Sequence, residues 1–99
     1  MRCRVVDGAV TSELRRQVLR PQWPVGSVMH GDDVPDAVHV AAFGEDGTLL
    51  AACVLFPAAY PGRPDAGGGW HLRGMATRED ARGRGVGSRL LLHALREVA

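Results

Sequence analysis

The residues best placed to do chemistry lie in Arg82-Gly83-Arg84-Gly85-Val86-Gly87-Ser88. Glycines at alternate positions let a backbone approach a ligand closely, because they carry no side chain. An apolar, strand-like stretch precedes this run (Trp70 to Thr77) and a helical one follows (Val86 to Val98). A helix starting there points its free N–H groups and positive dipole end back at the loop. That arrangement binds phosphate, so the sequence predicts a phosphorylated ligand. It lacks the Gly-Lys-Ser/Thr of a P-loop, and Gly83-x-Gly85-x-x-Ser88 lacks the third glycine of a dinucleotide fingerprint. Arg84 and Arg89 stand where positive charge is unfavourable unless an anion is present; Arg84 is read as an anion contact, the alternative being that both are ordinary solvated residues.

Other reactive side chains are sparse. Histidines at 30, 39, 71 and 93 and cysteines at 3 and 53 have no metal-ligand spacing, so no metal is expected. His71 is the candidate general base. By strict alternation it shares a strand face with Arg73 and Met75. Nothing marks a partner for it, and the alternative is a half-exposed strand histidine.

These groups need elements to hold them. Arg2 to Val6 reads as a strand, then a helix begins at Thr11 or Ser12 and ends before Pro21. Its apolar stripe is Leu14, Val18 and Leu19. A polar connection over Gln22 to Asp36 has room for a second short helix. Ala37 to Phe43 and Thr48 to Phe56 read as a hairpin about Asp46-Gly47. Pro57 to Gly69, with three prolines and four glycines, reads as a loop. Trp70 to Thr77 is the fourth strand, with Gly74 the signal of a bulge or of a close backbone approach. On the last helix Val86, Leu90, Leu91, Ala94, Leu95 and Val98 form one apolar stripe. The order predicts an α+β fold, a mixed, mostly antiparallel sheet flanked by helices.

Ninety-nine residues suit one small domain. No apolar run is long enough to span a membrane, and the first residues lack a signal-peptide core, so a cytoplasmic protein is expected. The net charge of +1 divides unevenly: residues 70–99 carry six arginines against three acids, and residues 1–69 six against eight. So small a positive field suits an anionic ligand and does not suggest nucleic acid.

Arg82-x-x-Gly85-x-Gly87, directly after Met75-Ala76-Thr77, resembles motif A of the GNAT superfamily of N-acetyltransferases. Leu72 to Leu91 matches the family's fourth strand, loop and third helix without a gap. Glu13 to Pro21 is similar to the first helix of one bacterial branch. Glu79 stands where many members have Pro. The resemblance implies an acyl-CoA N-acyltransferase fold and acetyl transfer from acetyl-CoA to a primary amine of a small molecule or peptide. It implies that the backbone of Arg82, Gly83, Arg84, Gly85, Val86, Gly87 and Ser88 cradles the pyrophosphate. Met75, Ala76 and Thr77 would line the pantetheine arm, and the Met75 N–H would polarise the acetyl carbonyl. The family's usual acid, often a Tyr, follows a fifth strand. Tyr60 does not match that position.

The last helix has no Gly cap or Pro stop before the final residue, which reads as a domain over 1–99 that is cut at its C-terminal end. An alternative follows: a catalytically incomplete coenzyme A-binding remnant or assembly module, with a second copy of the chain able to supply the missing strand as a homodimer.

Overall fold

A computed structural model describes residues 1–29, 33, 34, 36–60 and 63–98, with backbone only for 58–60 and 63–68. His30 and the Tyr60 side chain therefore lie outside the described residues. The elements run β1 (Arg2–Val6), α1 (Gly8–Leu19), β2 (Val38–Phe43), β3 (Leu49–Tyr60), β4 (Arg63–Thr77), a short 3-10 turn (Glu79–Ala81) and α2 (Val86–Glu97). The four strands form one sheet in the order β1-β2-β3-β4, every pairing antiparallel. The expected α+β class, a largely antiparallel sheet with helices against it, is what forms.

Alternation along the strands assigns the two sheet faces. Val40 pairs with Cys53 and Ala42 with Ala51, and these four join Leu55 in a core with Ala81, Val86, Leu90 and Ala94. That is the face α2 covers. His39 pairs with Val54 and Ala41 with Ala52, so these side chains occupy the other face. There the His39 ring lies directly under Gly8 of α1, where a Cβ would come within 2.8 Å of it.

Four local expectations are corrected. α1 starts earlier than Thr11: Asp7 caps it, accepting from the Ala9 N–H at 3.1 Å. No second helix forms among the described residues between α1 and β2. Residues 57–69 are not a loop on both sides, because β3 and β4 continue as a two-stranded ribbon, Pro57 opposite Trp70 and Ala58 opposite Gly69. Pro57 lacks an N–H, yet the ribbon there runs beyond the last β2 partner, Leu55 opposite Val38, so no β2 bond is lost. On α2 the buried stripe is Val86, Leu90 and Ala94, while Leu91 and Leu95 are 39% and 51% exposed. One i, i+4, i+8 row is enough to cover the small residues of β2 and β3.

Candidate active site

The glycine run forms the turn that joins β4 to α2. Thr77 ends β4 opposite Ala51, and the Arg78 N–H still bonds the Leu50 carbonyl at 2.8 Å. The 3-10 turn then buries Ala81 in the α2-side core, which anchors the loop from below. Arg82 to Gly85 are exposed. Gly83 and Gly85 adopt φ of +80° and +75°, conformations that L side chains rarely hold, and a Cβ at either would project into open space. Gly85 is also the N-cap of α2, and no side chain caps that end. The first-turn N–H groups and two cleared backbone positions make a donor set that fits a phosphate.

Two arginines stiffen the loop from its rim. Arg82 Nε donates to the Thr77 carbonyl at 3.3 Å, tying the loop to the end of β4. Arg84 Nη2 donates to the Asp80 carbonyl at 2.8 Å, which holds its guanidinium back toward the 3-10 turn. Arg78 pairs with Asp80 at 3.2 Å on the surface. Ser88 is exposed in the first turn of α2. A Cβ on Gly87 would sit 3.5 Å from Thr77 Oγ1, an ordinary contact, so the helix start packs on the strand end.

β4 carries a bulge just before this loop. Ala52 pairs with Ala76 and Val54 with Arg73, so Gly74 and Met75 together oppose Cys53. Gly74 takes φ +59°. The extra residue inverts alternation, which corrects the expectation that His71, Arg73 and Met75 share a face. Met75 packs with Leu72 on the α2-side core. His71 lies opposite Phe56 on the α1 side, meeting its ring edge-on at 5.8 Å. β4 is the outer strand of the described sheet, so its far edge is open beside Met75, Ala76 and Thr77. Ala76 is buried, and Thr77 half-buried.

One residue of this region is absent from the expected site. Arg15 of α1 is fully buried, and its Nε donates to the Gly74 carbonyl at 3.1 Å. Its spacing held the signal: Thr11, Leu14, Arg15 and Val18 fall on one helical stripe, and a cation within an inward stripe requires a buried acceptor. The hollows lined by Met1, Arg2, Arg4 and Phe43, and by Ala9, Ser12, Glu13 and Val25, include no residue of the glycine loop. Among the described residues no cluster of three His, Cys, Asp or Glu could hold a metal ion, and no helix is long and apolar enough to cross a membrane.

Comparisons with known proteins converge on one group. Residues 10–99 match the family model described as "Acetyltransferase (GNAT) family". Over 90 residues the chain is 33% identical to "Uncharacterized N-acetyltransferase YitI" of Bacillus subtilis, covering 90% of this chain and 59% of that protein. The chain thus spans about three fifths of that relative's length. The fold matches the solved structure "Putative acetyltransferase from Agrobacterium tumefaciens str. C58" with a TM-score of 0.71 at 22% identity, covering 98% of this chain and 72% of that one. It also matches glucosamine-6-phosphate N-acetyltransferase from Arabidopsis thaliana, with a TM-score of 0.65 at 15% identity, over 96% and 71% of the two chains.

Proposed function

The chain belongs to the GNAT acetyltransferase family, and from that premise we propose that it transfers an acetyl group from acetyl-CoA to a primary amine of a small molecule or peptide. The observation that carries this reading is the pair of left-handed glycines, Gly83 and Gly85, at the uncapped start of α2, one short turn beyond the bulged edge of β4. A pyrophosphate fits the loop, and an extended pantetheine arm fits the open strand edge.

In this reading the N–H groups from Arg82 to Ser88 bind the pyrophosphate and the Arg82 side chain keeps the loop in shape. Met75, Ala76 and Thr77 hold the pantetheine arm as an added strand would be held. The Met75 N–H faces the acetyl carbonyl oxygen, where negative charge grows as the amine attacks. Bound acetyl-CoA supplies an already activated thioester, so the protein's work is mainly positioning. An alkyl amine with a pKa near ~10 must lose a proton, and His71, on the α1 side of the same strand, is the base we assign; as the C–N bond forms the thioester C–S bond breaks, and coenzyme A leaves as its thiol by taking up that proton. Two free cysteines agree with a reducing, cytoplasmic setting.

A second reading is a coenzyme A-binding module without transfer. The bulge favours it, because it parts His71 from the face that Met75 occupies. Titration calorimetry with acetyl-CoA, followed by thiol release with a panel of amines, separates the two. Binding with turnover supports the transferase, and binding without turnover supports the module. No binding at millimolar acetyl-CoA rejects both.

A further inference from the structure

Arg15 is 0% exposed, and it stands on a helix stripe with Thr11, Leu14 and Val18, of which Thr11 and Leu14 are buried with it. A guanidinium is charged at any accessible pH, and burying it is costly unless its donors are used. One is spent on the Gly74 carbonyl, 59 residues away in sequence and inside the β4 bulge, at 3.1 Å. The fit is close: a Cβ on Gly74 would fall 2.6 Å from Arg15 Nε and 2.9 Å from its Cζ, so only glycine leaves room for this contact.

The consequence lies in the next atom of the chain. The Gly74 C=O and the Met75 N–H belong to one planar trans peptide and point in opposite directions. A guanidinium that draws the carbonyl toward α1 therefore turns the Met75 N–H away from α1. A charge-assisted bond to the carbonyl also polarises the peptide and makes its N–H a stronger donor. Gly74 and Met75 share the place opposite Cys53, outside the regular one-to-one pairing of the ladder, and Arg15 adds a constraint on that peptide plane from the α1 side.

We infer that Arg15 is a positioning residue for acetyl transfer: through the Gly74 carbonyl it fixes the direction, and raises the donor strength, of the Met75 N–H that meets the acetyl oxygen. The inference rests on the acetyl-CoA reading above and adds a residue that touches neither cofactor nor acceptor.

The test is difference infrared spectroscopy of the full chain with acetyl-CoA carrying ¹³C at the thioester carbonyl, alongside steady-state kinetics. In wild type the carbonyl band moves to lower wavenumber on binding. In Arg15→Met most of that movement is lost. There kcat falls about 10–100-fold, less than the ~10²–10³ typical of deleting an oxyanion donor outright, while the KM for acetyl-CoA stays within about threefold. Arg15→Lys restores part of the band shift. A destabilised Arg15→Met with an unchanged band and kcat overturns the inference and leaves Arg15 a structural residue. Where Arg15→Met does not fold, Arg15→Lys decides: its band must lie between the bound wild-type and free positions, and one identical to wild type overturns the inference. Wild type that binds acetyl-CoA with no band shift refutes the inference alone. Wild type that binds no acetyl-CoA refutes the cofactor reading and the inference with it.

Discussion

Gly87, in the first turn of α2, and Thr77, the last residue of β4, meet across the mouth of the loop: a Cβ on Gly87 would lie 3.5 Å from Thr77 Oγ1. That is van der Waals contact, not a clash, and Gly87 has no left-handed φ. Gly85 is the opposite case, with φ +75° and open space where its Cβ would point. The two glycines therefore separate under substitution. Gly87→Ala keeps acetyl-CoA affinity within about twofold and gains up to ~1 kcal/mol of helix propensity. Gly85→Ala incurs about 1–2 kcal/mol of left-handed strain and puts a methyl group into the cradle, weakening binding roughly tenfold or more. Calorimetry on both variants checks this, and equal affinities would show that the ligand does not approach the backbone at Gly85.

Arg82 ties the loop to the Thr77 carbonyl from an exposed position. A surface bond of this kind adds little to folding, so Arg82→Ala shifts stability by no more than about 0.5 kcal/mol. Its effect falls on the ligand. Removing one cation and the tether weakens acetyl-CoA binding about 3–10-fold and flattens the dependence of affinity on ionic strength. Titrations at low and high salt measure both. A salt dependence unchanged from wild type would place Arg82 outside the ligand's field.

Much of this site was legible because its signals are local. Gly83 and Gly85 announce a backbone cleared for close approach, and Val86, Leu90 and Ala94 announce the helix that follows them. Gly74 was legible as a bulge, but its effect was not. One added residue moves Met75 to the opposite face from His71, and nothing in a period-two pattern marks where the count slips. The inward spacing of Arg15 on α1 was readable, but its acceptor was not: that carbonyl is 59 residues away, a separation that no local pattern reports. The β3–β4 ribbon beyond Phe56 was obscured by composition. Pro57 and the glycines argue for a loop, and only the point at which β2 ends makes a proline harmless there. Asp7 outcompeted Thr11 as the cap because Thr11 is needed inside, fully buried with its hydroxyl on the Gly8 carbonyl.

Glu13 and Arg16 clamp the exit from α1. Arg16 Nη2 reaches Glu13 Oε1 at 2.6 Å, and its Nη1 donates to the Trp23 carbonyl at 2.8 Å. The Arg16 hydrogen bonds hold the Glu13 carboxyl below its ordinary value of 4.5. A carboxylate with a depressed pKa adds stability that is complete above its unfolded pKa and lost as pH falls through the folded one. Thermal melts between about pH 7 and pH 3 should therefore show wild type above Glu13→Gln near neutrality, with the gap closing at the acid end. Parallel melting curves across that range would mean that the pair does not persist in solution.

Cys3 and Cys53 differ in their access to solvent, and this gives a test of the sheet packing itself. Cys53 is fully buried in the α2-side core, and burial pushes its thiol up to about 11. Cys3 is also raised by desolvation, but it is only half-buried, at the edge of the same core. Reaction requires both thiolate and access. A disulfide reagent at pH 8 should titrate one thiol per native chain, with the second appearing only in denaturant. Replacing Cys3 with Ser should abolish the native reaction, and replacing Cys53 with Ser should leave it intact. Rapid modification of Cys53 in the native protein would mean that α2 opens from the sheet, and the loop built on its N-terminus would then lack a fixed base.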